Sequence, residues 1–305
     1  MKIYINNPKE NWVVDRFVEE WIKYNQHLHT NKIKEADLVW IISPWTWKNL
    51  PMRILKKKKV LCTIHHIDES KFNNKEEKDF LERDKIVDVY HCISQNTEEQ
   101  VKSITRKKTV NLPFWANQNI FFDIKDQENL RDKYKISKND FLIGSFQRDT
   151  EGKDLVSPKL SKGPDRFIQI VKKIQKKNNN IAVLLTGRRR QYIINELKEA
   201  GIKYYYFEMV SFDELNEMYN MLNLYIVSSR VEGGPQSILE CGLSKTPIIS
   251  TDVGIASQIL SKESIYNFNR FNNPLPNIDI AYKNSKKFII PDWFDEYEKL
   301  FNETL

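Results

Sequence analysis

Short apolar runs alternate with amphipathic segments along the chain, and this alternation constrains the fold more than any other feature. The apolar runs are of strand length, and the longer segments between them have helical spacing. Strands that alternate with helices are typical of an α/β protein built on parallel sheets. In the first part of the chain the predicted strands are residues 2–5, 37–43, 59–64 and 88–94, and the predicted helices are 12–24, 75–84 and 97–104.

The alternation stops once and then resumes. The stretch NLPFWANQNIFFDIKDQENL, residues 111–130, has a proline, several aromatic residues and no regular period, so it is interpreted as a linker. Beyond it the predicted strands are 141–146, 181–187, 204–207, 224–229 and 246–250, and the helices are 164–177, 190–200, 211–222 and 235–244. Two such series predict two doubly wound, Rossmann-like domains that face a cleft. We place the domains at residues 1–120 and 121–285, followed by a C-terminal helix at 286–305.

The glycines are confined to the second series. All nine lie between Gly144 and Gly254, and residues 1–143 contain none. Glycine permits tight turns and close approach of the backbone to a ligand. A site for a phosphorylated ligand is therefore expected in the second domain.

The stretch RVEGGPQSILECG combines these features with two carboxylates. Glu232 precedes Gly233 and Gly234, Pro235 is predicted to be the first residue of a helix, and Glu240 follows within that helix. The loop comes after a predicted strand, and ligands bind at the carboxyl ends of strands in open α/β sheets. Glycine amides at a helix N-terminus favour a diphosphate. The alternative is a local glycine turn with a capping or paired glutamate.

The longer stretch RVEGGPQSILECGLSKTPIISTDVG resembles the C-terminal signature of retaining glycosyltransferase family 4, which has the GT-B fold. The resemblance implies that Glu232 contacts the transferred sugar and takes part in catalysis, and that Glu240 holds the ribose of a nucleotide. It also aligns Ser229 with the serine that ends the preceding strand. Met209 and Val210 match the positions that bracket the nucleobase.

The same resemblance implies two cations on the donor diphosphate. In IGSFQRDTEGKDLVSPKLSKGPDRF, Arg148 matches the arginine and Lys162 matches the lysine of a Lys-Gly pair. About a dozen extra residues, 150–161, separate the two, and Lys153 is the alternative to Lys162. Two cations would stabilise the charge on a leaving diphosphate.

The first domain resembles the family more weakly, because its first strand lacks the family's glycine-rich loop. In KVLCTIHHID, His65 matches a histidine that faces the donor sugar, with His66 as the fallback. Trp45 and Trp47 follow a strand and either stack on a sugar acceptor or pack the domain. The aromatic helical pattern of PDWFDEYEKLFNETL resembles the last GT-B helix, which returns to the first domain.

The chain contains no Asp-x-Asp motif, so we expect no metal and no cofactor besides the substrate, a UDP- or GDP-linked sugar. The net charge of +7 and the run RILKKKKV at 53–60 leave open a peripheral contact with an anionic membrane or simply a solvated, lysine-rich surface. No nucleic-acid motif is present, so a nucleic-acid partner is not expected. The N-terminus MKIYINNPKE has no signal-peptide core, which favours a cytoplasmic location.

These features predict a retaining, metal-independent glycosyltransferase that moves a sugar from a nucleotide-sugar to a hydroxyl acceptor, whether a glycan, a lipid-linked acceptor or a small molecule. Three alternatives remain at this point. The chain could be a non-catalytic subunit that binds sugar nucleotides or glycans, a DNA-modifying glycosyltransferase, or an epimerase on the same fold.

Overall fold

The structure, a computed structural model, describes residues 1–10, 13–152, 154–271 and 273–305. Its contacts divide the chain into two units. Unit 1 comprises Met1–Trp115 and Ile290–Leu305, and unit 2 comprises Ala116–Ile289. The chain therefore passes from unit 1 to unit 2 after Trp115 and returns to unit 1 after Ile289. Trp115 and Ile290, on the unit 1 side of these two crossings, are both buried in its core.

Unit 1 is built on a parallel sheet that has five strands within the described residues, in the order β1-β2-β3-β4-β5. The strands are β1 Ile3–Ile5, β2 Leu38–Ile41, β3 Lys59–Ile64, β4 Val89–Cys92 and β5 Lys108–Asn111. Strand β5 is not predicted by the sequence pattern, because this edge strand is only half-buried and has no apolar run. Cys62 and Cys92 are buried, free thiols, as is Cys241 in unit 2.

Within the described residues of unit 1, four α-helices lie between the strands. They are α1 Val13–Tyr24, α2 Met52–Leu55, α3 Asn74–Asp84 and α4 Gln95–Ile104. Asn73 caps α3 by accepting from the amides of Lys75 and Glu76, and Ser94 caps α4 by accepting from Thr97 N. These caps satisfy amides that have no partner within the helix, so they fix where each helix begins.

Unit 2 is built on a second parallel sheet, which has six strands in the described residues, in the order β11-β10-β9-β6-β7-β8. The strands are β6 Phe141–Ser145, β7 Ile181–Thr186, β8 Lys203–Phe207, β9 Leu224–Val227, β10 Ile248–Thr251 and β11 Ile265–Tyr266. The chain runs outward from β6 to β8 and then returns to the other side of β6. The strand order therefore reverses between β6 and β9, which is where open α/β sheets bind ligands.

The helices of unit 2 are α5 Gln127–Lys133, α6 Pro164–Gln175, α7 Gln191–Glu199, α8 Phe212–Met221, α9 Gln236–Leu243, α10 Ala256–Ile259 and α11 Ile278–Ser285. The interpretation of 111–130 as a linker is wrong at both ends, where β5 and α5 lie. Helix α5 has no apolar period and is held by Arg131, whose guanidinium donates to Met221 O and Asn223 Oδ1, each at 2.7 Å. Such a tertiary contact leaves no signal in the local sequence.

Helix α9 also begins one residue later than predicted. Pro235 is its N-cap, with ψ of 112°, and the helix starts at Gln236. The extended ψ keeps Pro235 outside the helix.

The last helix, α12 Phe294–Thr304, belongs to unit 1. Its residues Phe294, Tyr297 and Phe301 are buried in the same cluster as Trp21 and Trp40. The ring of Trp21 contacts Phe294 and Phe301 edge-on, with centroids 5.1 and 5.2 Å apart. No helix among the described residues is both long and apolar enough to cross a membrane.

A buried histidine in unit 1 predicts a dependence of stability on pH. His91 Nε2 donates to Leu112 O at 2.6 Å, Nδ1 accepts from Thr63 Oγ1 at 2.9 Å, and burial lowers the pKa of His91 to about 4. The unfolded chain binds this proton near pH 6.5, so stability is complete above that pH and falls toward pH 4, by about 3 kcal/mol for this group. Urea unfolding across this range should show a shallower pH dependence in His91→Gln. The exposed control His27→Gln should match wild type, and an unchanged slope in His91→Gln would contradict the assignment.

Candidate functional site

The loops after β6 and β9 meet at the switch point of unit 2. Gln147, after β6, donates through Nε2 to Lys162 O at 2.9 Å. Ser229, after β9, has its hydroxyl 3.3 Å from Gln147 Oε1 and 3.1 Å from Glu232 Oε1. Three segments that are distant in sequence are therefore joined by short polar contacts at the edge where a ligand is expected.

The centre of this group is an ion pair between two of the predicted site residues. Lys162 Nζ lies 2.6 Å from Glu232 Oε1, and the Ser229 hydroxyl donates to the same oxygen. The side chain of Glu232 is 9% exposed and that of Lys162 is 20% exposed, so the pair is largely shielded from solvent. The pair thus sets one cation and one carboxylate side by side.

Gly163 places Lys162 in this position. It has a positive φ of 64° and joins the 3-10 turn Leu160–Lys162 to α6. A Cβ built at Gly163 would lie 2.0 Å from Ser228 O, so only glycine permits the turn to pack this closely against the loop after β9. The contact is tightened by the Ser228 hydroxyl, which donates to Gly163 O at 2.8 Å.

Replacing Gly163 with alanine is therefore expected to destabilise the protein by about 2 kcal/mol or more and to lower activity, because the turn must move away from Ser228. Gly201→Ala is the matched control: Gly201 also has a φ of 64°, but nothing lies within 4 Å of its Cβ position. Gly201→Ala should lose only about 1 kcal/mol of stability, because the only cost there is that of placing a residue with a Cβ at a positive φ. Urea unfolding measures the free energy of unfolding of the two variants. Equal losses of stability in Gly163→Ala and Gly201→Ala would contradict a role for the close contact with Ser228.

The glycine pair before α9 is held by a third loop, after β10. Gly254 has a φ of 56°, and a Cβ there would lie 2.3 Å from Gly233 O and 2.9 Å from Pro235. Thr251 Oγ1 donates to Ser229 O at 2.7 Å from the same side. Gly233 is buried and Gly234 is half-buried. The loop after β10 therefore packs against the glycine pair and Pro235.

Glu240 lies in α9, where its side chain is almost fully buried, with 5% exposure. Its Oε2 accepts from the hydroxyl of Tyr219 in α8 at 2.8 Å. Burial, with the neighbouring carboxylate, raises the pKa of Tyr219 well above its usual value, so the phenol stays protonated and donates. Glu240 therefore ties α9 to α8 through this hydrogen bond, whereas Glu232 is joined to Lys162 and Ser229.

The second predicted cation is placed differently from Lys162. Arg148 follows β6, is exposed, and donates through Nε to Thr150 O at 2.7 Å. The insertion 150–161 folds back on itself, with Glu151 N donating to Ser157 O and Lys159 N donating to Asp149 O. Lys153, the alternative cation, lies outside the described residues.

A buried ion pair that the sequence pattern does not predict supports the loop that contains Arg148. Arg190 is fully buried and its Nε lies 3.0 Å from Asp149 Oδ2, while Nη1 donates to Ser145 O and Thr186 O. Burial raises the pKa of Asp149, and the adjacent guanidinium opposes this. Arg190 thereby clamps the loop after β6 to the loop after β7. In the sequence it is the third residue of an Arg-Arg-Arg run, which is typical of a solvated surface.

The predicted nucleobase residues follow β8. The side chain of Met209 is 61% exposed and Val210 is half-buried. Both precede Ser211, which caps α8 in a reciprocal capping box with Glu214. The cap fixes the backbone of this loop, and the exposed Met209 leaves an apolar surface at the carboxyl edge of the sheet.

His65 and His66 lie in unit 1, after β3. His65 is half-buried, donates through Nε2 to Ile42 O at 2.8 Å, and has its pKa lowered by burial to about 4, so it is neutral at pH 7. His66 is exposed. Both line a cavity of about 790 Å³ together with Trp45, which is 46% exposed. Trp47 is buried and donates to Asp79, so it packs the unit.

Comparison with known proteins finds a family match that includes several of the predicted site residues. The family described as "Glycosyl transferases group 1" matches residues 126–274, which include Arg148, Lys162, Glu232 and Glu240. The curated protein "Uncharacterized protein 356" of Sulfolobus islandicus rod-shaped virus 1 is 33% identical over 93 residues, which are 30% of this chain. The aligned stretch spans only 25% of that viral protein.

Solved structures show that the fold extends over the whole chain. Anabaena Alr3699/HepE in complex with UDP and glucose has a TM-score of 0.78 at 10% identity, with 99% of this chain and 100% of that chain covered. Sucrose-phosphate synthase from Thermosynechococcus elongatus has a TM-score of 0.69 at 16% identity, with 98% and 80% covered. A variant of S. aureus TarM has a TM-score of 0.65 at 14% identity, with 94% and 58% covered.

The fold is thus GT-B, with two Rossmann-like sheets. Residues 126–274 match the family described as "Glycosyl transferases group 1", and the solved structures share the fold of the chain.

Proposed function

We propose that the protein transfers a sugar from a nucleotide-sugar to a hydroxyl acceptor, with retention of the anomeric configuration and without a metal ion. The observation that carries this proposal is the Lys162–Glu232 pair, 2.6 Å apart at the switch point of a group 1 domain. In the proposed reaction the pair would supply a cation for a diphosphate beside a carboxylate for sugar hydroxyls. Solved structures of the same fold that are bound to UDP or UDP-glucose support a nucleotide-sugar donor.

The donor diphosphate would lie between Lys162 and the backbone amides of Gly233 and Gly234, before the N-terminus of α9. Amides and the helix dipole stabilise negative charge there, and Lys162 adds a full positive charge. Arg148 follows β6 on the same carboxyl edge and would supply the second cation. These groups would take over the role that a divalent ion has in enzymes with an Asp-x-Asp motif, a motif that this chain lacks.

Glu232 would accept hydrogen bonds from hydroxyls of the transferred sugar. As the bond from the anomeric carbon to the leaving phosphate oxygen breaks, charge accumulates on the diphosphate, where Lys162 stabilises it. The acceptor hydroxyl would attack from the same face and pass its proton to that phosphate oxygen, which retains the configuration. His65 of unit 1, neutral at pH 7, stays a candidate hydrogen-bonding group for the sugar, with His66 as the alternative.

The nucleoside would extend toward Glu240 for the ribose and toward Met209 and Val210 for the base. Glu240 is almost fully buried and already accepts from Tyr219, so a ribose contact would use the remaining capacity of its carboxylate. Ser229 would act through Glu232, because its hydroxyl fixes the oxygen that Lys162 also contacts.

Thermal unfolding with nucleoside diphosphates and nucleotide-sugars, with and without EDTA, tests the donor site. A nucleotide at 100 times its Kd should stabilise the protein by about 2.7 kcal/mol. The proposal expects a shift with nucleotides of one base, unchanged by EDTA. No shift with any nucleotide would contradict it, and a shift without turnover of any nucleotide-sugar would favour the non-catalytic binding subunit.

A further inference from the structure

The charge of unit 1 is strongly segregated. The unit as a whole carries 22 Lys and Arg against 21 Asp and Glu. Since its strands are parallel, the segments before them meet at one edge of the sheet, which we call the basic edge: residues 1–2, 32–37, 56–59, 84–88 and 105–108. The basic edge holds eleven Lys and Arg against four carboxylates. The rest of the unit is therefore acidic, which excludes a uniformly lysine-rich surface.

Specific contacts join these segments. Lys58 Nζ donates to Lys34 O at 2.9 Å, which links the segments before β3 and β2. Lys59 Nζ lies 3.6 Å from Asp88 Oδ1, which links the segments before β3 and β4. Because neighbouring strands are about 4.8 Å apart, the cations that precede β2 to β5 form a row of roughly 15 Å.

The carboxylates of the basic edge already have partners. Glu35 pairs with Lys32, Asp37 accepts from Lys2 N, Asp88 pairs with Lys59, and Asp84 accepts from Thr105 Oγ1. Six cations remain that are exposed and make no ion pair among the described residues: Lys34, Lys56, Lys57, Lys85, Arg106 and Lys107. Their spacing is comparable with the screening length of about 8 Å at physiological salt, so they act together on an anionic partner.

We propose that the basic edge docks on a bilayer that contains anionic phospholipids. Ten of its eleven cations are lysines, which act as point charges toward headgroups, whereas nucleic-acid readout favours the fork of arginine. None of its five segments contains an aromatic residue on which a base could stack. A cluster of lysines on a surface is attracted to anionic lipid in a salt-dependent way.

Docking through this edge has a consequence for orientation. The carboxyl ends of the same strands, where Trp45, His65 and His66 line the cavity, lie at the opposite edge, about 15–20 Å away. A bilayer that contacts the basic edge therefore leaves the cavity side of unit 1 facing the aqueous phase. The surface is independent of the proposed transfer reaction, since it shares no residue with the site.

Co-sedimentation of the full chain with vesicles tests the proposal. The probes are vesicles of phosphatidylcholine alone and with about a third phosphatidylglycerol. Wild type should bind only the anionic vesicles and be released at about 0.5 M NaCl. The combined variant Lys56→Glu, Lys57→Glu, Arg106→Glu and Lys107→Glu should partition about a hundredfold less. The matched control, with the same charge change at exposed lysines of unit 2, is Lys176→Glu, Lys198→Glu, Lys283→Glu and Lys287→Glu, and it should keep most of the binding.

Three results would overturn the proposal. These are no binding of wild type to anionic vesicles at low salt, equal loss of binding in the two combined variants, and binding to a short DNA duplex under conditions where the vesicles do not bind. Far-ultraviolet circular dichroism establishes that each variant is folded, so a loss of binding reports on the surface itself.

Discussion

Glu232→Gln is expected to lower turnover by about a hundredfold or more while nucleoside diphosphate binds as tightly as in wild type or up to about tenfold more tightly. The two effects have one cause. Without donor, the carboxylate of Glu232 neutralises Lys162 at 2.6 Å. Glutamine removes that competing charge, so Lys162 is available to the diphosphate, but the carboxylate that would orient the sugar is lost.

Release of nucleoside diphosphate measures turnover, and calorimetric titration with UDP or GDP measures binding. Glu199→Gln, an exposed change on α7, is the control and should alter neither quantity. Near-normal turnover in Glu232→Gln would contradict a role in the reaction. If the affinity of Glu232→Gln for nucleoside diphosphate falls more than about tenfold, the carboxylate of Glu232 does not compete with the diphosphate for Lys162.

Arg190→Leu is expected to destabilise the protein by about 3–5 kcal/mol, because it leaves Asp149 buried beside no cation. For a unit of this size that corresponds to a fall in Tm of at least about 6 °C. The pKa of Asp149 is already raised by burial and should rise further without Arg190. A carboxyl group whose pKa is higher in the folded than in the unfolded protein lowers stability at pH values above the unfolded pKa. The loss of stability in Arg190→Leu should therefore be smaller at pH 5 than at pH 8.

Two further variants make this prediction specific. Arg188→Leu, two residues earlier in the same run and exposed, should leave Tm nearly unchanged. The double variant Asp149→Leu/Arg190→Leu should recover much of the lost stability, because no uncompensated charge remains. Equal Tm values for Arg188→Leu and Arg190→Leu would show that the buried pair does not hold the two loops together.

The order of elements and the GT-B fold were predictable because their signals are local. Apolar runs of strand length and amphipathic helices recur in order, and the Glu-Gly-Gly-Pro turn follows a strand. The elements β5 and α5 are among those that were missed, and they have no such signal. Strand β5 pairs with β4 as a half-buried edge, and α5 is held by Arg131 across a distance of about 90 residues in sequence.

The sequence predicts which residues belong to the candidate site, but not the contacts between them. The sequence proposes Lys162 and Glu232 separately, but their contact depends on Gly163, whose turn packs against Ser228. The clamp formed by Asp149 and Arg190 was not predictable, because three consecutive arginines indicate a solvated surface and only the packing of β6 against β7 buries the third.

The most direct measurement is release of nucleoside diphosphate from a panel of UDP- and GDP-sugars in the presence of EDTA, with wild type and Lys162→Ala. We predict turnover of a donor of one base by wild type, unchanged by EDTA, and a loss of about a hundredfold in Lys162→Ala. No release from any donor, or equal release by the two proteins, would contradict glycosyl transfer at the Lys162–Glu232 site. Release that EDTA abolishes and a divalent ion restores would contradict the metal-independent reaction.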